Sequence, residues 1–142
     1  MTQIKPYPLW IGSYGALHDV RRLHDLGIRA IVHLAYEETL PTLPRDFIVL
    51  RFPILDGEEN EPAMLLLAID TLTLLLDQKF TTLVCCQAGL SRSPAIVAAA
   101  LARLTGESLT ECVKRIGEVH GCSIHPALLD SIAIVSALRV GT

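Results

Sequence analysis

The sequence predicts an α/β domain with a mostly parallel central sheet flanked by helices. Two observations lead there. Short apolar runs alternate with longer segments of helical spacing, and the chain then closes on three helical segments in a row. Gly and Pro fall between these segments, where a chain turns.

The elements follow in order. Leu9-Trp-Ile11 is a short strand, closed by Gly12. Leu17, Val20, Leu23 and Leu26 recur at helical spacing, and Gly27 follows as a stop. Arg29 to Ala35, with Ile31 and Val32, reads as a buried strand. Phe47 to Ile54 is a further strand, followed by the loop Asp56-Gly-Glu-Glu-Asn-Glu61. Pro62 suits a first helical turn, and the helix it opens runs to about Lys79. Being apolar on most sides, that helix is expected to be largely buried. Thr82 to Cys86 is a strand, and Ser93-Pro94 begins a helix that ends near Gly106. Ser108-Leu-Thr-Glu111 is a capping box opening a helix to about His120, and Pro126 begins the last helix, to about Arg139.

A length of 142 residues suits one domain spanning 1–142. At 51% hydrophobic and 19% charged the chain reads as globular, and with aromatics at only 5% its core must come from Leu, Ile, Val and Ala. A net charge of −3 disfavours nucleic acid as a partner, which needs a basic face, but leaves room for one bound phosphate held by local donors. The apolar stretch 63–76 is too short to span a bilayer and is interrupted by Asp70, Thr71 and Thr73, so no membrane association is expected. The start of the chain has no signal-peptide pattern. The four cysteines, 85, 86, 112 and 122, therefore read as free thiols of a cytoplasmic protein. Without a CxxC pair a metal site has little support; Cys122-Ser-Ile-His125 supplies two ligand types and lacks the other two.

The chemistry is concentrated in Val84-Cys-Cys-Gln-Ala-Gly-Leu-Ser-Arg-Ser-Pro94, a strand, a tight loop and a helix start. Backbone N–H groups of a loop that curls into a helix N-terminus converge on one point and bind an anion. Gln87, Ala88, Gly89, Leu90, Ser91 and Arg92 form that loop. Gly89 gives it freedom to curl, and Arg92 adds a planar fork for two phosphate oxygens. The same field favours the thiolate of Cys86, the form that acts as a nucleophile.

This loop resembles the Cys-x5-Arg-Ser/Thr signature of the cysteine-dependent phosphatases. The rest of the chain is similar to their dual-specificity branch over nearly its full length. Leu9-Trp-Ile-Gly-Ser13 resembles that branch's opening strand, Leu26-Gly-Ile-Arg-Ala-Ile-Val32 its first helix-to-strand junction, and Ser108 to Leu129 its closing helices. The resemblance implies a dual-specificity-phosphatase-like fold and a two-step reaction, with no cofactor or metal. Cys86 would attack phosphorus and form a phosphocysteine, and Asp56, in the family's general-acid position, would protonate the leaving oxygen. Asp56 would then activate the hydrolytic water, with Ser93 hydrogen-bonding the departing thiolate. Arg92 and the loop amides would hold the phosphate oxygens.

Each assignment has a plainer competitor. Asp56-Gly57 is also an ordinary turn pair, and Glu58, Glu59 and Glu61 are acids nearby. Cys85 stands where the family usually has His. It reads as a small core residue, with a resolving thiol for Cys86 as a weaker reading. His33 reads as a core histidine, or as support for the loop that lacks its usual His. Cys112, Cys122, His120 and His125 receive no role.

Low-molecular-weight tyrosine phosphatases and arsenate reductases use a similar loop, but near the chain start. Inositol-phosphate phosphatases often carry Lys within the loop, and here there is none. The expected partner is therefore a phosphorylated protein or a small phosphomonoester. The competing functions are a phosphate-binding pseudophosphatase and a phosphatase of a non-protein phosphomonoester.

Overall fold

The structure is a computed structural model, and it describes residues 1–137. Its elements are β1 (Thr2–Gln3), β2 (Leu9–Ser13), a 3-10 turn (Tyr14–His18), α1 (Val20–Asp25), β3 (Ala30–Ala35), β4 (Ile48–Ile54), α2 (Pro62–Asp77), β5 (Thr82–Cys86), α3 (Arg92–Thr105), α4 (Leu109–Val119) and α5 (Pro126–Ala137). The five strands form one sheet in the order β1-β2-β5-β3-β4, parallel except for the two-residue β1, which pairs antiparallel with β2. The α/β architecture with a mostly parallel sheet is as the sequence predicts.

Several details differ. Gly12 does not close β2 but lies within it, beside Cys85 of β5. The helical spacing at 17–26 divides into the 3-10 turn and α1, because Asp19 accepts a hydrogen bond from the Arg22 amide and starts a new helix. α2 is less buried than its composition suggests: Leu67 and Leu74 are more than half exposed. The expected end of α5 near Arg139 lies outside the described residues.

Helices sit on both faces of the sheet. On one face Leu9, Ile11, Val32, Val84 and Cys86 pack with residues of α2 to α5; on the other, Ile31, Leu83 and Cys85 pack with Leu17, Leu23 and Phe47. Successive strand residues point to opposite faces, so the adjacent Cys85 and Cys86 enter different cores. The largest fully buried side chains are all Leu or Ile, each stabilising the fold by about 1.5–3 kcal/mol. Ala95, Ala98, Ala99 and Ala100, all buried, let α3 lie close against its neighbours. No helix among the described residues is long and apolar enough to cross a membrane.

This topology positions the site. The β2–β3 crossover runs over one face and the β4–β5 crossover over the other, and β5 enters between β2 and β3. The crevice at the carboxyl end of such a central strand is where open α/β sheets bind ligands. Cys86 is the last residue of β5.

Candidate active site

The chain leaves β5 at Cys86, curls through Gln87 to Ser91 and enters α3 at Arg92. At Gly89 the curl needs a left-handed residue, φ +75°. A Cβ there would lie 2.8 Å from the Gly12 carbonyl oxygen, so β2 fixes how deep the loop sits. The Gln87 carbonyl accepts from the Tyr14 amide (3.1 Å) and the Leu90 carbonyl from the Ser123 amide (2.8 Å). Ser91, at the N-cap of α3, makes no side-chain cap, which leaves the helix's first amides uncapped and suited to an anion.

A small cavity of about 190 Å³ is lined by Cys86, Gln87, Ala88, Leu90, Ser91, Arg92, Asp56 and Ser123. It holds the sequence-designated nucleophile, clamp and acid together with most of the loop. Gly89 is not among its lining residues, since its part is to turn the chain. Asp56 also borders a larger cleft of about 560 Å³, with Leu55, Gly57, Glu58, Glu59, His125 and Ala127. Of the loop acids, Asp56 lines the Cys86 cavity; Glu58 and Glu59 line the cleft beside it, and Glu61 lines neither.

Asp56 is held over the loop. The Ser91 hydroxyl donates to Asp56 Oδ1 (2.6 Å) and accepts from the His125 amide (2.9 Å). Asn60 closes the acid loop on itself: its Oδ1 accepts from the Leu55 amide (2.8 Å), and its Nδ2 donates to the carbonyls of Leu55 (2.7 Å) and Gly57 (3.2 Å).

Arg92 is buried, and its terminal nitrogens are already engaged. Nη1 donates to Glu37 Oε1 (2.6 Å) and to the Ile54 carbonyl (2.9 Å), and Nη2 donates to Glu37 Oε2 (2.7 Å). Of the five guanidinium N–H groups, these contacts use three. The two that remain, on Nε and Nη2, lie on one edge of the fork and suit two oxygens of one phosphate. The Arg92 guanidinium holds the Glu37 carboxyl down at about 2 and is itself held further toward its charged form by Glu37.

His33 helps to hold the turn that bears this partner, through the Glu38 carbonyl. The Glu38 carbonyl can only accept, so His33 Nε2 carries the hydrogen in that 3.3 Å contact. Burial, the main effect on the ring, lowers the pKa of His33 and keeps the imidazole neutral, so Nδ1 accepts from the Cys85 thiol, 3.6 Å away. Arg51 holds the same turn through the Tyr36 carbonyl (3.1 Å). His33 is thus a satisfied core histidine that also anchors the turn bearing Glu37.

Burial, with a smaller contribution from Cys86, pushes the Cys85 thiol far up. Because the two sulfurs enter opposite faces of the sheet, a bridge between them requires β5 to twist out of register; the resolving-thiol reading has no geometric support. All four cysteines are free. Ser93 Oγ is buried without a hydrogen-bond partner among the described residues. Glu37, Asn60, Ser91 as a side chain and His120 escaped the sequence reading. The one signal that could point to Glu37 is its place as an acid just beyond the strand at 30–35.

The Glu37 contact makes a testable pair of predictions. Glu37→Gln keeps the shape and removes the charge, so Arg92 swings from its set angle. The value of kcat/KM for a phosphomonoester should fall by up to about 10²-fold, the scale that a misplacement of about an ångström can cost. The stability effect has a defined sign. A carboxyl at about 2 when folded and 4.5 ordinarily adds stability that is present above pH 4.5 and lost as pH falls through about 2. The gap in urea midpoint between the native chain and Glu37→Gln should therefore narrow from pH 5 to pH 2. It should be modest throughout, since the Glu37 side chain is 43% exposed. A gap independent of pH contradicts this account.

The sheet order, the tight loop that joins β5 to α3 and the cavity at the carboxyl end of that central strand define a cysteine-phosphatase type of fold. Residues 10–107 match the model of a family described as Tc-R-P, polymorphic toxin system, DSP-PTPase phosphatase, and the chain belongs to that family, within the dual-specificity branch. Among curated proteins none matches the chain by sequence. Its fold is similar to that of human DUSP28 (TM-score 0.85, 21% identity, 97% of this chain and 96% of that one). It is also similar to a mouse putative dual specificity phosphatase complexed with zinc tungstate (TM-score 0.84, 22% identity, 96% and 86%). A third is the human tyrosine phosphatase-like serine/threonine/tyrosine-interacting protein (TM-score 0.82, 20% identity, 99% and 98%). At these identities the likeness is one of fold.

Proposed function

We propose that this chain hydrolyses phosphomonoesters, as a protein tyrosine or dual-specificity phosphatase, through a phosphocysteine on Cys86. The observation that carries the reading is the single cavity lined by Cys86, Arg92, Asp56 and the loop. The Cys86 thiolate attacks phosphorus; the S–P bond forms as the P–O bond to the leaving group breaks, and Asp56 gives its proton to that oxygen. Water then attacks the phosphocysteine and passes a proton to Asp56. The S–P bond breaks, orthophosphate leaves, and the electron pair returns to sulfur. Ser93, whose hydroxyl has no other partner among the described residues, donates a hydrogen bond to that thiolate. Loop amides and the free edge of Arg92 stabilise the charge on the transferring group.

The cleft beside Asp56 gives a leaving group of peptide size somewhere to lie, which supports a phosphorylated protein over a bare phosphate ester. A cytoplasmic setting fits four free thiols. The family's description links such domains to polymorphic toxin systems, and the same hydrolysis would serve there.

The test is release of nitrophenol from para-nitrophenyl phosphate, with and without a chelator. Chelator-resistant turnover is expected. A second reading, a phosphate-binding pseudophosphatase, draws on Cys85 in place of the family's His. Saturable phosphopeptide binding by folded, reduced protein without product release would establish it and overturn the first.

A further inference from the structure

His120 is a side chain for which the proposed reaction has no use, yet it reaches the cradle. Its Nε2 lies 2.7 Å from the Gly89 carbonyl oxygen and its Nδ1 2.8 Å from the Thr2 hydroxyl. The carbonyl can only accept, so Nε2 carries a hydrogen and donates it. The Thr2 hydroxyl can donate or accept, and so serves Nδ1 whether or not that nitrogen is protonated.

The consequence lies in the peptide plane. A trans peptide holds its C=O and the next N–H in opposite directions, and the loop contains no cis bond. Whatever grips a carbonyl from outside therefore aims the following amide inward. Tyr14 does this at Gln87 and aims the Ala88 amide; Ser123 does it at Leu90 and aims the Ser91 amide. At Gly89 the grip comes from a side chain, and it aims the Leu90 amide. That plane most needs a grip, because glycine is the residue whose flanking peptides rotate most freely. The Gly12 carbonyl limits the loop at the Gly89 Cα, and His120 holds the Gly89 carbonyl.

We infer that His120 is a positioning residue of the phosphate cradle, fixing the Gly89–Leu90 peptide so that the Leu90 amide faces the bound anion. It reaches the loop from the C-terminal end of α4 and, through Thr2, ties the edge strand β1 to the site. The inference rests on the phosphate-binding reading of the site. It also supplies what Cys85 cannot, an imidazole that organises the loop, here from a distant part of the chain.

The test is the dissociation constant of orthophosphate, measured by calorimetry for the native chain, His120→Ala and His120→Gln, with the melting temperature of each. The Gln carboxamide can place an N–H near the position of Nε2. His120→Ala should bind orthophosphate about five- to tenfold more weakly, the scale of one lost hydrogen bond, and His120→Gln should return to within twofold of native. A purely structural role would move melting temperature without this rescue. Should His120→Ala not fold, His120→Phe keeps the bulk, removes both nitrogens and carries the same comparison. Native-like affinity in the loss variant, or a Gln variant no better than it, overturns the inference alone. A native chain that binds no orthophosphate overturns it together with the phosphatase reading.

Discussion

Cys86→Ser should lower turnover of para-nitrophenyl phosphate by roughly 10³-fold or more, because it removes the atom that the proposed reaction uses to form its covalent intermediate. The substitution exchanges sulfur for oxygen at a buried position, the last of β5, and leaves the cradle unchanged. Orthophosphate binding should therefore survive, since the amides and Arg92 that hold the anion are untouched. The pairing of lost turnover with retained binding separates loss of a nucleophile from loss of fold. Turnover within tenfold of native would mean that another group attacks phosphorus. The neighbouring Cys85 is not such a group: its sulfur sits in the opposite core, against His33, with no face on the cavity.

Asp56→Asn should be the second-largest effect, and its size should depend on the leaving group. Asn can keep the contact from Ser91 through its carbonyl oxygen, so the acid loop, pinned by Asn60, stays where it is. What Asn cannot do is give up a proton to the ester oxygen. For phenyl phosphate, whose phenolate leaves poorly without a proton, kcat should fall by about 10²–10⁴. For para-nitrophenyl phosphate, whose leaving group is stable as an anion, the fall should be much smaller. The two substrates assayed side by side decide the matter. Equal losses on both would show that Asp56 shapes the cavity without transferring a proton.

Much of this site could be read along the chain because its parts are local. Cys86, the curl and Arg92 occupy seven consecutive residues, and a strand feeding a helix through a glycine-bearing loop leaves few arrangements for them. The strands at 30–35 and 82–86 are buried throughout and so are mostly apolar, with His33 and Thr82 as their polar members. The two-residue β1 has no run to show, and it forms because Thr2 and Gln3 pair with Ile11 and Trp10. The split at 17–26 went unseen because apolar periodicity crosses it, while the local cap from Asp19 breaks it.

By itself the sequence determined the layering, the loop that joins Cys86 to Arg92, and an acid loop long enough to hold several carboxyls. Each of these follows from neighbours in the chain, through periodicity, turn chemistry and the reach of a short loop. Only the tertiary structure decided what holds Asp56 over the loop, which partner sets the angle of Arg92, and which histidine grips Gly89. Those contacts join residues 35, 55 and 31 positions apart. The physical reason is that a hydrogen bond requires a distance of about 3 Å and a direction. Neither exists until β5 is seated between β2 and β3 and the loops at the carboxyl edge of the sheet meet.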